Sequence, residues 1–232
     1  MPSDRSLDEA REKLLAGVRC FRREVYPRNQ ERYEQAMRQP QAPHTLVITC
    51  ADSRIDPELL TQSGPGDIFV SRNIGNLVPA YGQVLGGVSS VIEYAVQALG
   101  VSQIVICGHT DCGAMKGLLH RDKLVNMPTV NHWLQNAEAA LSVVEAKNTA
   151  SNEHDKLCQL IEENVLLQLN HLRTHPSVAG KIAQGKLAVY GWVYDIGNGH
   201  VNIYDPKTNS FVPYGDEPGD DNSAASSHPA AT

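Results

Sequence analysis

The 232-residue sequence contains no apolar run that approaches the roughly 18 residues typical of a transmembrane helix. It also has no long basic run, and its formal net charge is −6. Proteins that bind nucleic acid usually cluster Lys and Arg against the phosphates, so this balance disfavours a nucleic-acid partner. The opening segment MPSDRSLDEAREKLL lacks both the apolar core of a secretory signal and the acid-poor composition of a transit peptide. We therefore expect a cytoplasmic protein with no membrane partner.

Cysteine is scarce, and the five cysteines are scattered along the chain. A disulfide framework is typical of secreted proteins, whereas this set is odd in number and the expected compartment is reducing. A lone cysteine is most often a small core residue, and we interpret Cys20, Cys107 and Cys158 in that way. Cys50 and Cys112 stand in short motifs, which directs attention to metal binding or catalysis.

Helical and strand patterns alternate along the chain. Apolar residues recur at helical spacing over 6–26, where Ser6 and Glu9 form a capping box, and a second helical stretch lies at about 30–37. Short apolar runs rich in β-branched residues predict strands at 45–50, 68–71, 103–107, 187–193 and 201–204, with Asn198-Gly199 as a hairpin turn before the last. Helical patterns follow the arm at 84–99, 131–147 and 155–174.

Strands that are apolar on both faces and separated by helices indicate a parallel sheet covered by helices on both sides. We therefore predict one α/β domain over residues 1–215, with a central, mostly parallel β-sheet flanked by helices. A helical N-terminal arm occupies about 6–38. The segment 216–232 has almost nothing to bury and is predicted to be a disordered tail.

Two short motifs directly follow two of the predicted strands. The first is Cys50-Ala-Asp52-Ser-Arg54, and the second is His109-Thr-Asp-Cys112. Reactive groups gather at the carboxyl ends of parallel strands, so we expect the motifs to lie close together. Cys112 would open the next helix, where the backbone dipole favours a thiolate. Two thiolates and one imidazole suit zinc, and three protein ligands leave the fourth position for a water, so the motifs predict a catalytic zinc site.

Asp52 leaves two arrangements open. Its carboxylate is either a fourth zinc ligand, which closes the site, or a hydrogen-bond partner for the water. Arg54 stands two residues away, and its guanidinium fork matches both oxygens of a carboxylate. This pair favours an enzyme over a non-catalytic zinc protein, because a permanently closed site has no need for the arginine.

The combined pattern, C-x-D-x-R followed about 55 residues later by H-x-x-C, resembles the beta class of carbonic anhydrases. The intervening segments PGDIFV at 65–70, RNIGNLV at 72–78 and EYAV at 93–96 are also similar to that class. The resemblance extends over about 6–214, and its most specific part is 45–118. It implies a zinc-dependent enzyme of the plant-like branch that interconverts carbon dioxide and bicarbonate.

The resemblance assigns roles position by position. Cys50, His109 and Cys112 match the zinc ligands, and Asp52 and Arg54 match a dyad in which the aspartate either binds zinc or pairs with the arginine. The positions that match the small carbon dioxide pocket are Gln41, Phe69, Ile74 and Tyr94, while Gly113 matches a residue whose amide contacts the substrate. In the branch that binds inhibitory bicarbonate, a tryptophan and a glycine stand where this sequence has Val47 and Thr49, so we do not expect that regulatory site.

The resemblance also implies self-association, because in the plant-like branch the site lies at a dimer interface. We therefore expect a homodimer or a dimer-based higher oligomer. The N-terminal helix carries an apolar stripe on Leu7, Leu14, Val18 and Phe21. This stripe packs either on the neighbouring subunit or on its own domain, and the sequence leaves both open.

The expected chemistry follows from the metal. Zinc lowers the pKa of bound water from 15.7 to about 7, so zinc-bound hydroxide is available near neutral pH. We expect Asp52, held by Arg54, to orient that hydroxide toward carbon dioxide in an apolar pocket where Gln41 supplies an amide. A hydrolase for carbon disulfide or carbonyl sulfide is the rival interpretation, since the same ligands could hydrate either molecule.

Overall fold

The computed structural model describes residues 6–83 and 86–215, so the tail predicted at 216–232 lies outside the described residues. A six-stranded sheet has the strand order β2-β1-β3-β4-β5-β6. Its strands are β1 (Thr45–Cys50), β2 (Ile68–Asn73), β3 (Gln103–His109), β4 (Ala188–Tyr194), β5 (Val201–Asp205) and β6 (Ser210–Tyr214). The pairings among β1 to β4 are parallel, and β5 and β6 add an antiparallel edge. The predicted α/β fold with a mostly parallel sheet is confirmed.

Helices flank this sheet and form the N-terminal arm. They are α1 (Leu7–Cys20), α2 (Tyr26–Arg38), α3 (Pro57–Leu60), α4 (Gly87–Glu93), α5 (Gly113–Leu119), α6 (Pro128–Trp133), α7 (Glu138–Lys147), α8 (Glu153–Arg173) and α9 (Pro176–Ala183). A π-helical segment at Phe21–Val25 joins α1 to α2, another at Tyr94–Leu99 extends α4, and 3₁₀ turns lie at Arg121–Leu124 and Leu134–Ala137. None of the helices in the described ranges combines the length and the apolar character that crossing a membrane requires.

The main core lies on one face of the sheet. Leu46 and Ile48 of β1 and Ile104 and Ile106 of β3 are fully buried there, against apolar residues of α4, the second π segment and α8. Fully burying one such side chain stabilises the fold by about 1.5–3 kcal/mol, so this row contributes several kcal/mol. The row also holds β1 and β3 side by side with their carboxyl ends together.

The opposite face of the sheet carries a smaller apolar cluster. Val47, Val105 and Cys107 are buried in it, and Trp192 and Tyr194 of β4 pack against them. Val47 is therefore a core residue of this smaller cluster, and only 3% of it is exposed.

The N-terminal arm is one long helix with a wider turn in its middle. Its start carries the predicted capping box, in which the Ser6 hydroxyl accepts from the Glu9 amide and the Glu9 carboxylate accepts from the Ser6 amide. No residue of α1 or α2 is buried, so the arm does not bury its apolar stripe against the described residues of its own chain.

Some short elements escape the sequence patterns. The structure adds α3, α9 and β6, each of eight residues or fewer, and it confirms the helix expected directly after Cys112, which is α5. β6 has no clear strand pattern because it contains Pro213, which an edge strand tolerates since its outer N–H groups need no partner. The helix predicted over 84–99 is described from Gly87 onward, and it ends at Gly100 with a φ of +70°, as expected for a helix-terminating glycine.

Candidate metal centre

The two motifs meet at one end of the sheet. Cys50 is the last residue of β1 and His109 the last residue of its parallel neighbour β3, so strand pairing brings them together. Cys112 is the N-cap of α5, three residues beyond His109. The three side chains are at most 5% exposed, and their ligand atoms all lie within 4.8 Å of one another. These residues could hold a metal ion.

The orientation of His109 suits this purpose. Its Nδ1 lies 2.8 Å from the carbonyl oxygen of Thr110, and because a carbonyl can only accept, Nδ1 carries the proton. Nε2 then presents a lone pair toward the two sulfur atoms. It is buried and has no hydrogen-bond partner within residues 6–83 and 86–215. A buried nitrogen of this kind is costly unless a ligand takes its lone pair, and a backbone carbonyl that accepts from the other ring nitrogen is typical of metal-binding histidine.

The two cysteines of the cluster do not ionise alike. Hydrogen bonding from Cys112, followed by contributions of His109 and the Gly75 amide, lowers the pKa of Cys50 well below its ordinary value. The Cys50 sulfur and burial in turn raise the pKa of Cys112. The amides of the first turn of α5 lower the pKa of Cys112 by a smaller amount. The effect of the Cys50 sulfur is therefore larger than the effect of the helix start, which was predicted to favour a thiolate at Cys112. Burial raises the pKa of Cys107 to about 12, which leaves that residue an inert thiol.

The donor set fits zinc. Two sulfur atoms and one imidazole nitrogen are soft and borderline donors, the types that zinc takes in tetrahedral sites. A cation would also stabilise the second thiolate, which the metal-free pair disfavours. With three protein donors, such a site keeps one position for a water or a substrate.

Asp52 and Arg54 form a close ion pair beside the cluster. The Arg54 Nε and Nη2 donate to the two carboxylate oxygens of Asp52 at 2.9 and 2.8 Å, and the Arg54 backbone amide adds a bond of 3.0 Å. This pairing holds the pKa of Asp52 well below its ordinary value. The nearer carboxylate oxygen stays 3.9 Å from His109 Nε2. In this structure both oxygens of the Asp52 carboxylate are thus held by the arginine.

A third member of this network, Asp111, was not identified from the sequence. It accepts a bond of 2.9 Å from Nη1 of Arg54 and also pairs with Lys116. Hydrogen bonding from Lys116, and then from Arg54, lowers the pKa of Asp111. Its backbone is left-handed, with a φ of +61°. The available signal was its place inside the second motif, between the two metal-ligand candidates.

Two residues of the R-N-I-G segment also contact the first motif. Arg72 donates from Nε to the carbonyl oxygen of Cys50 at 3.2 Å and from Nη2 to that of Asp52 at 2.6 Å. The Gly75 amide donates to the Cys50 sulfur at 3.4 Å. The sequence marked this segment only through the resemblance, because neither contact has a local pattern.

The predicted pocket residues are only partly brought together. The rings of Phe69 and Tyr94 lie with centroids 6.2 Å apart, and Tyr94 and Ile74 are each more than two-fifths exposed. Gly113 is exposed at the first position of α5, where a helix leaves its N–H without an intrahelical partner. Gln41 lies apart from them, exposed in a cleft between α2 and the 65–67 loop. Their roles in substrate binding stay predictions.

Comparison with known proteins gives one consistent result. The family model described as carbonic anhydrase matches residues 45–201. The carbonic anhydrase of Pseudomonas aeruginosa is 45% identical over 205 residues, which cover 88% of this chain and 92% of that protein.

Solved structures agree with this similarity. The structure of the beta-carbonic anhydrase CcaA has a TM-score of 0.85 and 39% identity, and the match covers 88% of this chain and 99% of that one. One of two tetrameric beta-carbonic anhydrases from Sordaria macrospora has a TM-score of 0.75 and 28% identity, over 84% of this chain and 96% of that one.

Proposed function

Because this chain belongs to the beta class of carbonic anhydrases, we propose that it hydrates carbon dioxide to bicarbonate with a zinc ion held by Cys50, His109 and Cys112. The observation that carries this assignment is the buried cluster of three donors in which His109 Nε2 has no partner among the described residues. When bound, zinc supplies a nucleophile by lowering the pKa of water from 15.7 to about 7.

The Asp52–Arg54 pair provides the orienting group. An ionised carboxylate can only accept hydrogen bonds, so Asp52 would accept a hydrogen bond from the remaining O–H of the nucleophile and so direct the nucleophile's lone pair away from the carboxylate. Arg54 fixes the rotamer of this carboxylate with three bonds, and it would thereby keep the carboxylate off a bound metal. Asp111 holds the other side of the guanidinium, which restrains Arg54 in turn.

The substrate is small and apolar, so an apolar surface with few donors is sufficient to bind it. Phe69, Ile74 and Tyr94 supply that surface, and the Gly113 amide supplies a donor for the developing negative charge. Gln41, which lines a separate cleft of its own chain, supplies an amide from a second subunit. The proton released by hydration leaves to the buffer.

Stopped-flow hydration of carbon dioxide by the zinc-loaded protein tests this function. We expect a pH-indicator signal far above the uncatalysed rate, proportional to protein concentration and lost after the metal is removed with a chelator. Readdition of zinc should restore it. The same assay with carbonyl sulfide addresses the rival hydrolase. Rapid turnover of carbonyl sulfide with no hydration of carbon dioxide would contradict the proposal.

We also propose that the active unit is a homodimer or a dimer-based oligomer. The apolar stripe of the N-terminal helix is open to solvent. Its members Leu7, Leu14, Val18 and Phe21 are 91, 75, 64 and 41% exposed. Leaving such a row in water forgoes the free energy that burial would contribute, and contiguous apolar surface of this kind marks an interface. The tetrameric relative from Sordaria macrospora supports the same assignment.

A charge placed in the stripe tests the dimer. We expect Leu14→Glu to sediment as a folded monomer and to lose most of its hydration activity, because the site then lacks the residues of the second subunit. Lys13→Glu adds the same side chain one position away, on a residue that is already polar, and should stay oligomeric and active. A parent protein that is fully active as a monomer at the assay concentration would contradict the shared site.

The location of the protein stays a prediction from the sequence. We keep the cytoplasm as the proposed location, because an odd, scattered set of five cysteines does not suggest the disulfide framework of a secreted protein.

A further inference from the structure

The peptide group between Ile74 and Gly75 contacts the metal-ligand candidate Cys50. The N–H of Gly75 donates to the Cys50 sulfur at 3.4 Å. An N–H donor stabilises the negative charge of a thiolate and so affects how strongly the sulfur donates to a metal. The position of this peptide group is therefore part of the chemistry of the site.

The opposite end of the same peptide group is held by a tryptophan. Trp133, at the end of α6, donates from its indole Nε1 to the carbonyl oxygen of Ile74 at 2.8 Å. Because the peptide group is planar, fixing the Ile74 carbonyl also fixes the direction of the Gly75 N–H. The two bonds together clamp the group between the indole and the sulfur.

The next peptide group is held from the other side, by α8. Asn164, only 1% exposed, donates from Nδ2 to the carbonyl oxygen of Gly75 at 3.1 Å. Gln168, one turn further and fully buried, donates to the Asn164 side-chain oxygen at 2.9 Å and accepts from the Val78 amide at 2.8 Å. Buried polar side chains are retained when their bonds are satisfied, and these two hold the 75–78 backbone while Gln168 also donates to the carbonyl oxygen of Asn136 at 3.2 Å.

Position 75 does not tolerate a residue other than glycine. Its φ is +82°, a left-handed value that side chains with Cβ rarely adopt. A Cβ there would also lie 3.0 Å from the Cβ of Ala114 and 3.2 Å from the Cε of Met115. The backbone at Gly75 thus packs closely against α5. The side chains of Trp133 and Asn164 hold the peptide groups on the two sides of this residue.

We propose that Trp133 and Asn164 are positioning residues that hold the Gly75 amide on the Cys50 thiolate and so tune its bond to the metal. The inference rests on the proposed metal site at Cys50, His109 and Cys112. Neither side chain is a metal ligand, and both act through the backbone around Gly75. Mutating Gly75 itself is not a suitable test, because a Cβ there would also disturb the local packing.

Trp133→Phe is the direct test, because it removes the indole N–H and keeps an aromatic ring. The protein is loaded with cobalt(II), whose sulfur-to-metal charge-transfer band reports the energy of the thiolate electrons. Losing the N–H bond raises that energy, so we expect the band to shift to longer wavelength. We also expect about a tenfold weaker zinc affinity in a chelator competition, as is typical when a group that orients a metal ligand is removed.

The matched control is Trp192→Phe, at the other tryptophan of the chain, which packs against the small cluster around Val47. Its band should stay where the parent has it. Asn164→Leu should shift the band in the same direction as Trp133→Phe. Thr174→Val removes a hydroxyl that also bonds loop backbone, at the Tyr81 amide, and should lower the melting temperature without moving the band.

The outcomes separate this inference from the function on which it rests. A parent protein with no charge-transfer band on cobalt loading would refute the metal site itself. A normal band in the parent and an unmoved band in both Trp133→Phe and Asn164→Leu would overturn the positioning role alone, even if both variants were less stable.

Discussion

Replacing Cys112 with Ala should remove zinc and hydration activity together. The chain then offers only Cys50 and His109, and two ligands do not hold zinc against the water and the buffer that compete for it. We expect about one zinc per chain in the parent and a small fraction of that in Cys112→Ala, measured by elemental analysis after dialysis. Cys50→Ala and His109→Ala should behave in the same way.

Cys107→Ala is the matched control for the metal prediction. Cys107 is as buried as Cys112 and belongs to the strand that carries His109, yet it is not part of the cluster. This variant should lose some stability through the vacated volume and keep its zinc. Full zinc occupancy in Cys112→Ala would refute Cys112 as a ligand.

Replacing Arg54 with Ala should leave zinc bound and reduce hydration by about 10² to 10³-fold, the usual cost of removing a polar catalytic partner. Without the guanidinium, Asp52 is free to take the fourth metal position and exclude the nucleophile. The loss does not come from protonation of Asp52, because even the ordinary pKa of 3.8 leaves the carboxylate ionised at neutral pH. The measurement is the hydration rate of zinc-loaded protein beside its zinc content.

Asp52→Ala should also keep zinc through the other three residues, and it loses activity because nothing then orients the nucleophile. Arg121→Ala is a suitable control, since it removes a guanidinium that pairs with Glu138 and Asn131. It should hydrate carbon dioxide as the parent does. Near-normal hydration by Arg54→Ala at neutral pH would mean that the arginine is structural.

The pH profile of the parent adds a second readout for the dyad. Hydration should rise from acid to alkaline pH, because the nucleophile forms by losing a proton and hydroxide competes with Asp52 for the metal. The midpoint belongs to the coupled titration of the dyad and the water rather than to one residue. In Asp52→Ala that coupling is absent, so we expect the midpoint to move. An identical midpoint in parent and variant would show that Asp52 does not take part in the titration.

Local sequence patterns were sufficient for the metal-ligand candidates and for most of the sheet. A strand such as β1 is encoded in six consecutive apolar or β-branched residues, and Cys50 and His109 each stand at the end of such a run. Because parallel neighbours end at one edge, their proximity follows from the pattern alone. The N-terminal helix was predicted for the same reason, since its periodicity and its capping box are local.

The tertiary structure alone decided which groups surround those candidates. The Trp133 indole meets Ile74 across 59 positions and the Asn164 amide meets Gly75 across 89, and no local period links such pairs. The orientation of Asp52 was equally undetermined by the sequence, because its pairing with Arg54 depends on where the first motif meets Asp111. Sequence thus determined the residue types and the order of the donors, because periodicity and strand ends are local properties. Packing decided their orientation, because that depends on contacts between segments far apart in the chain.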